Sequence, residues 1–550
     1  MNCPACGQEL PDFGATCPRC GHVESPWAPR PYDTIPTMKQ APVPAAQVPS
    51  APGGYGGPDQ YLAAHPETRV DSYPVVVAPP KKRSRLLAVL IGALSLVLLG
   101  SGVAVAGGYL GWYGPGLRPS DVLPGSALSY GQLDLDPSLL QKTAAWQFLR
   151  DLPEVKSAVA AGLPDPKALL WKLLVKDDEY LGTLNYETDV KPWLGNRYGA
   201  AFVNHLGKPA WVAAVQLTDT QLGVRTLEKW LKKAGADNDL TFDVTVRENY
   251  ALITETKDTA FVLGEVANGT LTDNPTFAAD FAALGEPGIS AGWTDLSSWQ
   301  RMTGQDVGSA IGMGHGRLAL ATRFTADTLE VAGIVRGFTG SAAIPDGDLG
   351  LLPADTGVAL SVTGAGKALA EAWPQLPQQA KDSVAELGLS LPDDLVAVLG
   401  NSFVAAASSD AVQHFMGSSA PEIGLRVNSD AASRAEQVLH TLVDGVSQDG
   451  ISTTVDGAVL VAGTTPGYRD RIAGGGDRLA SNEWFAKSVP DHAKATFAAW
   501  VDLQAVAGNR AVGSGTGDYD VFISALRGWG GQYVPGAPGE GSWSVRLVRA

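Results

Sequence analysis

Cysteine is absent from most of this chain, because all four of its cysteines lie within the first 20 of its 550 residues. The later sequence therefore offers neither a thiol nucleophile nor a disulfide. Residues 86–113 contain no charge at all. From Gly114 onward, acidic residues outnumber basic ones. This part of the sequence contains 33 of the 41 Lys and Arg and 50 of the 57 Asp and Glu, which gives a net charge of −17. Such an acidic surface repels nucleic acid and anionic lipid head groups, so we expect no nucleic-acid partner.

Short catalytic motifs are also absent from the sequence after residue 113. It contains no G-x-S-x-G, S-x-x-K or H-E-x-x-H pattern. The glycine-rich stretch Gly513–Asp520 lacks the Lys-Ser/Thr pair of a phosphate-binding loop, and we interpret it as a flexible loop. Histidines are few and scattered, which predicts ordinary residues and not a metal site: His205, His315, His414, His440 and His492.

The four cysteines form two C-x-x-C pairs, in the sequences "CPACG" and "CPRCG". Each pair can point two thiolates at one centre, and two pairs supply the four soft ligands that a tetrahedral zinc ion accepts. Because protein ligands fill every position, no position is open for catalysis, and we predict a structural zinc ribbon over residues 1–22. Two disulfides are the alternative, which a reducing cytosol excludes. The predicted zinc ligands are Cys3, Cys6, Cys17 and Cys20.

A proline-rich stretch and an apolar stretch follow the cysteine pairs. Residues 21–80 contain 13 prolines and show no helical or strand periodicity, so we predict a disordered linker over 23–85. Residues 86–110 are uncharged and long enough to cross a bilayer as a tilted helix. A signal-peptidase site within Ala104–Ala106 is the alternative to an uncleaved anchor. The basic residues before the span predict a cytoplasmic N terminus and an extracytoplasmic body at the plasma membrane: Lys81, Lys82, Arg83 and Arg85.

Short segments of the body recur in the same order at nearly constant spacing. The stretch "LGNRYGAAF" from Leu194 returns as "LGNSFVAAA" from Leu399, and "GWTDL" returns as "AWVDL". The openings "VLPGSALSY" and "LLPADTGVALS" also match. These recurrences predict a tandem duplication, with one unit over residues 120–340 and its repeat over 350–550.

Each unit shows the same succession of elements. A strand such as "ALSYGQL" leads into a helical stretch, and two strands such as "RYGAAFV" and "AWVAAVQL" follow. Next come an amphipathic helix, a predicted hairpin, a short helix and the W-x-D-L strand. In the first unit Leu227, Trp230 and Leu231 share one face of the amphipathic helix, and Gly235 is predicted to end it. One strand, "WSVRLVRA", is predicted to close the second unit. Strand pairs dominate, which predicts an α+β fold with mainly antiparallel sheets.

An aspartate recurs in the two W-x-D-L segments, as Asp295 and Asp502. A buried carboxyl beside a tryptophan could act as an acid or base with a raised pKa. It could equally cap the helical turn that follows, and the cap is the interpretation we favour. We predict that Trp293 and Trp500 are core residues.

The cysteine pairs, the span with its basic flank and the opening "VLPGSALSYGQLDLDPS" together resemble a group of actinobacterial membrane proteins. Members of that group have an N-terminal zinc ribbon, a proline-rich linker, one transmembrane helix and a large extracytoplasmic domain of unknown function. The resemblance implies this topology and no activity.

These features favour a non-enzymatic membrane protein of the cell envelope that binds or signals, with structural zinc as its cofactor. We expect protein partners on one or both sides of the membrane, while a small-molecule, lipid or wall ligand for the outer body stays open. Two alternatives are an envelope scaffold or assembly factor and an extracytoplasmic hydrolase with an unfamiliar site.

Overall fold

The computed structural model describes residues 116–150, 165, 167–168, 171, 175, 183–236, 239–304, 316–337, 347–376, 378, 381, 389–414, 421–444, 450–507 and 525–549. The predicted zinc ribbon, proline-rich linker and membrane span lie outside these residues. No helix in the described part of the chain is long and apolar enough to cross a membrane.

Sixteen strands in the described residues form one sheet, and each neighbouring pair is antiparallel. The first eight are β1 Ser129–Asp134, β2 Leu194–His205, β3 Lys208–Leu217, β4 Phe242–Arg247, β5 Tyr250–Glu255, β6 Ser290–Asp295, β7 Arg317–Phe324 and β8 Thr328–Arg336. The second eight are β9 Thr356–Thr363, β10 Ser402–Ser408, β11 Ile423–Asn428, β12 Ser452–Asp456, β13 Val459–Gly463, β14 Phe497–Asp502, β15 Leu526–Pro535 and β16 Glu540–Arg549.

Helices alternate with the strands, which gives the mixed α+β class that the sequence predicted. The α-helices are α1 Leu139–Leu149, α2 Thr220–Ala236, α3 Thr259–Asn268, α4 Pro275–Leu284, α5 Leu296–Thr303, α6 Ala365–Ala372, α7 Asp393–Leu399, α8 Ser409–Gln413, α9 Ala432–Asp444, α10 Pro466–Ala473, α11 Glu483–Ser488 and α12 Leu503–Ala507. Short 3₁₀ turns occur at Pro119–Asp121, Leu271–Asp273, Leu349–Leu351, Trp373–Gln375 and Leu479–Ser481, and one π-helical turn at Tyr186–Val190.

Both faces of the sheet are covered where apolar side chains alternate along a strand. In β3, Val212 packs in the same core cluster as Val262 of α3 and Phe277 of α4. Its neighbour Trp211 packs instead with Trp230 of α2. Because successive strand residues point to opposite faces, α2 lies on one face of the sheet and α3 and α4 lie on the other.

The two halves of the sheet have the same strand order, read outward from the centre. The first half runs β8-β7-β6-β1-β2-β3-β5-β4, and the second runs β16-β15-β14-β9-β10-β11-β13-β12. The halves join where β8 pairs with β16. The correspondence between the halves starts from Trp293 and Trp500, and the strand register extends it through β7 and β15 to β8 and β16. By this register, Ala332 and Ser544 are equivalent residues. These two residues pair directly, so a pseudo-twofold axis passes through them.

Three local details differ from the sequence-based expectation. Helix α2 continues through Gly235 to Ala236, where a β-carbon on Gly235 would lie 2.2 Å from the carbonyl oxygen of Leu240. Two helices, α3 and α4, stand where one short helix was predicted. Strand β15 was not predicted, because its glycines have low strand propensity. The strand needs Gly528, where a β-carbon would lie 2.6 Å from the ring of Trp500.

Candidate functional site

The predicted zinc ligands lie outside the described residues, so the zinc site stays a prediction. Within the described residues, no group of three or more His, Cys, Asp or Glu side chains is placed to hold a metal ion. The candidate site residues within the described part of the chain are carboxylates and histidines of the body.

Both W-x-D-L aspartates lie at the start of a helix. The carboxylate of Asp295 accepts hydrogen bonds from the backbone amide of Ser298 at 3.1 Å and from its hydroxyl at 2.5 Å, which caps α5. The carboxylate of Asp502 accepts from the backbone amides of Gln504 at 2.9 Å and Ala505 at 3.4 Å, which caps α12. Such a side chain satisfies amides that have no partner inside the helix. This geometry matches the cap interpretation of both residues.

The tryptophans that precede these aspartates are core residues. Trp293 and Trp500 are 3% and 1% exposed. Each meets a phenylalanine ring nearly edge-on, Phe277 at 5.8 Å and Phe485 at 5.6 Å between ring centroids. The two halves therefore use the same pair of aromatic residues to hold a helix against the sheet.

An ionic cluster around one buried carboxylate, which the sequence reasoning missed, lies beside Trp293. Asp280 of α4 is 1% exposed, and its carboxylate accepts a hydrogen bond from the Trp293 indole at 2.9 Å. The guanidinium of Arg317 donates to the same carboxylate at 2.8 and 3.3 Å. A second guanidinium, that of Arg336, lies 3.4 Å from it and 3.7 Å from Glu540 of the other half. A buried charge of this kind requires partners, and we name these five residues the Asp280 cluster.

The Asp280 cluster joins α4 to β6, β7, β8 and β16, and its two guanidinium groups balance the charge of its two carboxylates. The hydrogen bond to Asp280 raises the pKa of Arg317, and burial opposes that rise. The guanidinium groups of Arg317 and Arg336 both lie beside the Asp280 carboxylate, and hydrogen bonds between charged groups are stronger than those between neutral groups. The sequence carried a weak signal for this cluster, namely one carboxylate in the apolar stretch "FAADFAAL" of α4. Its arginine partners are 37 and 56 residues further along the chain, and no short motif joins them.

Three histidines of the described residues contact aspartates, and in the exposed pair Nδ1 of His414 lies 3.0 Å from Asp410. Nδ1 of His205 lies 2.7 Å from Asp258 at the start of α3, and the imidazole stacks on the ring of Phe261 at 4.2 Å. Nδ1 of His492 lies 2.5 Å from Asp348. The His205 pair ties the end of β2 to the start of α3, and the His492 pair ties the turn between α11 and β14 to the start of the 3₁₀ turn Leu349–Leu351. The interpretation of the histidines as ordinary residues stays a prediction.

The pKa of Asp348 reflects its contacts. Burial alone would raise the pKa of this carboxyl, but the hydrogen bond from His492 and the backbone amide of Gly350 at 2.7 Å outweigh burial and lower it. The charged form of Asp348 is therefore the one that the fold favours.

Comparisons with known proteins give little further information about this chain. No family model matches it, and no curated protein matches it. One solved structure, that of crystal form III of TP0453, is similar with a TM-score of 0.22 and 9% sequence identity, over 42% of this chain and 84% of that chain. A likeness this weak carries no argument about fold or function.

Proposed function

We propose that this chain is a single-pass membrane protein of the cell envelope, with its zinc ribbon in the cytoplasm and the body that contains the described sheet outside. We propose further that the body acts by binding and not by catalysis. The cysteine spacing supports the ribbon, and the uncharged stretch with its basic flank supports the span and its orientation.

The non-enzymatic proposal rests on the contacts that three carboxylates of the body make. A general acid or base must exchange its proton with a reacting group. Asp295 and Asp502 accept hydrogen bonds from helix-start amides, and Asp280 is held by guanidinium groups. These side chains stabilise the fold where they lie, which supports a body whose surface is the functional part.

We also infer that the body arose by tandem duplication. Three observations support this origin: the shared strand order, the pseudo-twofold register at the junction of β8 and β16, and the matched pairs of tryptophan and phenylalanine. Asn274 and Asn482 add a further match, because each caps the helix that carries the phenylalanine.

Protease protection in intact spheroplasts tests the proposed orientation. With an epitope tag at each terminus, we expect added protease to remove the C-terminal tag and to spare the N-terminal tag until the membrane is permeabilised. Loss of the N-terminal tag first would overturn the proposed topology.

Zinc content tests the ribbon separately. The purified full-length chain should contain one zinc ion, and the variant Cys3→Ser/Cys6→Ser should lose it while its body keeps the circular dichroism of the wild type. A metal content unchanged by that substitution would overturn the predicted ligand set.

A further inference from the structure

The described body begins close to the predicted end of the span. Five residues separate Leu110 from Gly116, where the described residues begin. An extended chain spans at most about 3.3–3.6 Å per residue, so Gly116 lies within roughly 20 Å of the outer membrane surface. This step rests on the proposed function, because the membrane span is part of that proposal.

Arg197 fixes the position of the chain where it enters the body. Its Nη1 donates to the carbonyl oxygen of Leu117 at 3.4 Å, and its Nη2 donates to the carbonyl oxygen of Asp136 at 3.4 Å. The hydroxyl of Tyr250 donates to the same Leu117 carbonyl at 2.8 Å. One guanidinium therefore joins the entry segment to the turn that precedes α1, and these two segments form the corner at which the chain enters the described body.

Three leucines at this corner are exposed. Leu117 is 40% exposed, and Leu139 and Leu140, the first two residues of α1, are 55% and 79% exposed. Helix α1 buries other side chains against the sheet, among them Phe148 and Leu149. The exposed leucines are thus not needed for the core of the body, and they leave apolar surface near the predicted end of the span.

Two carboxylates of this corner are paired with basic side chains, although the body as a whole is strongly acidic. Asp134 lies 3.1 Å from Nε of Arg197, and Asp136 forms an ion pair with Lys142. Glu286 also reaches this corner, where its carboxylate accepts hydrogen bonds from the Ser138 hydroxyl at 2.6 Å and from the Gln141 side-chain amide at 3.4 Å. The corner therefore presents apolar side chains beside carboxylates that are paired or hydrogen-bonded. An apolar surface of this kind favours the boundary between lipid head groups and acyl chains.

We propose that Leu117, Leu139 and Leu140 form a docking corner that inserts into the outer leaflet of the membrane that the chain spans. Insertion holds the body at a fixed orientation beside its own span. The partner of this surface is lipid, and zwitterionic lipid is sufficient, because no unpaired cation is needed to recruit it.

Depth-dependent quenching in vesicles tests the docking corner. The full-length chain with Leu140→Cys is labelled with an environment-sensitive thiol dye while zinc is bound, and the wild-type chain sets the background from its native cysteines. The labelled protein is reconstituted in phosphatidylcholine vesicles with or without a lipid spin-labelled near the head group. We expect quenching of roughly two-fold or more, because an interfacial side chain lies about 5–10 Å deep.

Leu206→Cys is the matched control. Leu206 is also an exposed leucine, 91% exposed, and it follows the opposite end of β2 from Arg197. Nine residues of strand place it about 30 Å from the corner. The dye at this position should show little quenching. Adding Leu139→Glu to the Leu140→Cys chain should reduce quenching at position 140, because a charge opposes insertion.

The outcomes separate this inference from the proposed function. Equal quenching at positions 140 and 206, or none at 140, overturns the docking corner while flotation of the protein with the vesicles upholds the span. A blue-shifted dye at 140 without lipid quenching also overturns it, because a protein surface would then cover the corner. Failure of the chain to float with vesicles overturns the span and the docking corner together.

Discussion

The two halves of the sheet treat the same internal position in opposite ways. In the first half, Asp280 of α4 lies beneath Trp293 and is paired with Arg317 and Arg336. In the second half, the equivalent residue of α11 is Ser488, six residues after the helix-capping asparagine in both cases. Strand register places Gly528 where Arg317 stands and Val548 where Arg336 stands.

In the second half, the indole of the buried tryptophan forms its hydrogen bond without a charged partner. The indole of Trp500 donates to the carbonyl oxygen of Thr356 at 3.0 Å, and the hydroxyl of Ser488 has no hydrogen-bond partner. The same helix-on-sheet packing is therefore compatible with a buried ionic cluster and with a neutral site. An ionic cluster of this kind need not add net stability, because desolvation can cancel the attraction. We expect the two sites to differ mainly in how far the free energy of unfolding falls when one of their side chains is replaced.

The largest effect should come from placing a carboxylate in the neutral site. Ser488→Asp puts a charge at a position that is 0% exposed, where Gly528 and Val548 stand in place of Arg317 and Arg336. We expect a loss of about 4 kcal/mol or more in the free energy of unfolding at pH 7, measured by urea denaturation. Because burial raises the pKa of an unpaired carboxyl, the loss should shrink as pH falls towards 4.

Ser488→Asn separates charge from size in that experiment. Asn has the shape of Asp without its charge, so its cost should be smaller and should not change with pH. Equal losses for Asp and Asn at every pH would mean that the second half rejects the larger side chain and not the charge.

Breaking the Asp280 cluster should have the next largest effect. Asp280→Asn keeps the shape of the side chain but leaves Arg317 and Arg336 without their buried counter-charge. Removing one partner of a buried ion pair costs about 3–5 kcal/mol, and we expect a loss near the lower end in the same denaturation assay. Ser488→Ala is the equivalent change in the second half and should cost under about 1 kcal/mol, because an unpartnered hydroxyl loses no hydrogen bond. Similar losses in the two halves would contradict the comparison.

The W-x-D-L aspartates test whether the two halves share a helix cap at equivalent positions. Asp295→Ala and Asp502→Ala should each lower the free energy of unfolding by about 0.5–2 kcal/mol, because each removes a helix cap. Asp295→Asn and Asp502→Asn should restore most of that loss, since Asn is as good a cap as Asp. Thermal melts of the four variants provide the measurement. If Asn proved as damaging as Ala at either site, the cap would not explain that residue.

Sequence reasoning succeeded where the signal was local and periodic. The buried face of α2, the hairpin of β4 and β5 and the W-x-D-L strands follow from spacing within single segments. Asp295 could be interpreted as a cap because the amides it binds follow it directly in the chain. These features need no knowledge of distant residues.

Features that depend on distant contacts were missed. Strand β15 contains glycines because Trp500 and Ser488 occupy the space beside Gly528, and nothing within "LRGWGGQY" reveals those neighbours. The Asp280 cluster likewise joins residues from α4, β6, β7, β8 and β16. Propensity and periodicity describe one segment at a time, so neither could identify a strand or a cluster that another segment makes necessary.

The smallest effect should come from the charge pair at the border of the second half. Asp348 has a lowered pKa because His492 and the Gly350 amide favour its charged form over the effect of burial. Its folded-state pKa lies below the ordinary value of about 3.9, so the stabilisation is present above that pH and is lost as pH falls through the folded-state pKa. Asp348→Asn keeps an acceptor for both donors and removes only the charge. We expect a loss of at most about 1 kcal/mol at pH 6, because the pair is partly exposed. The difference between variant and wild type in urea midpoint should then narrow by pH 3. If the difference in urea midpoint stayed constant from pH 6 to pH 3, the charge of Asp348 would not be what stabilises this border. The second half would then rely on ionic contacts even less than its neutral core suggests.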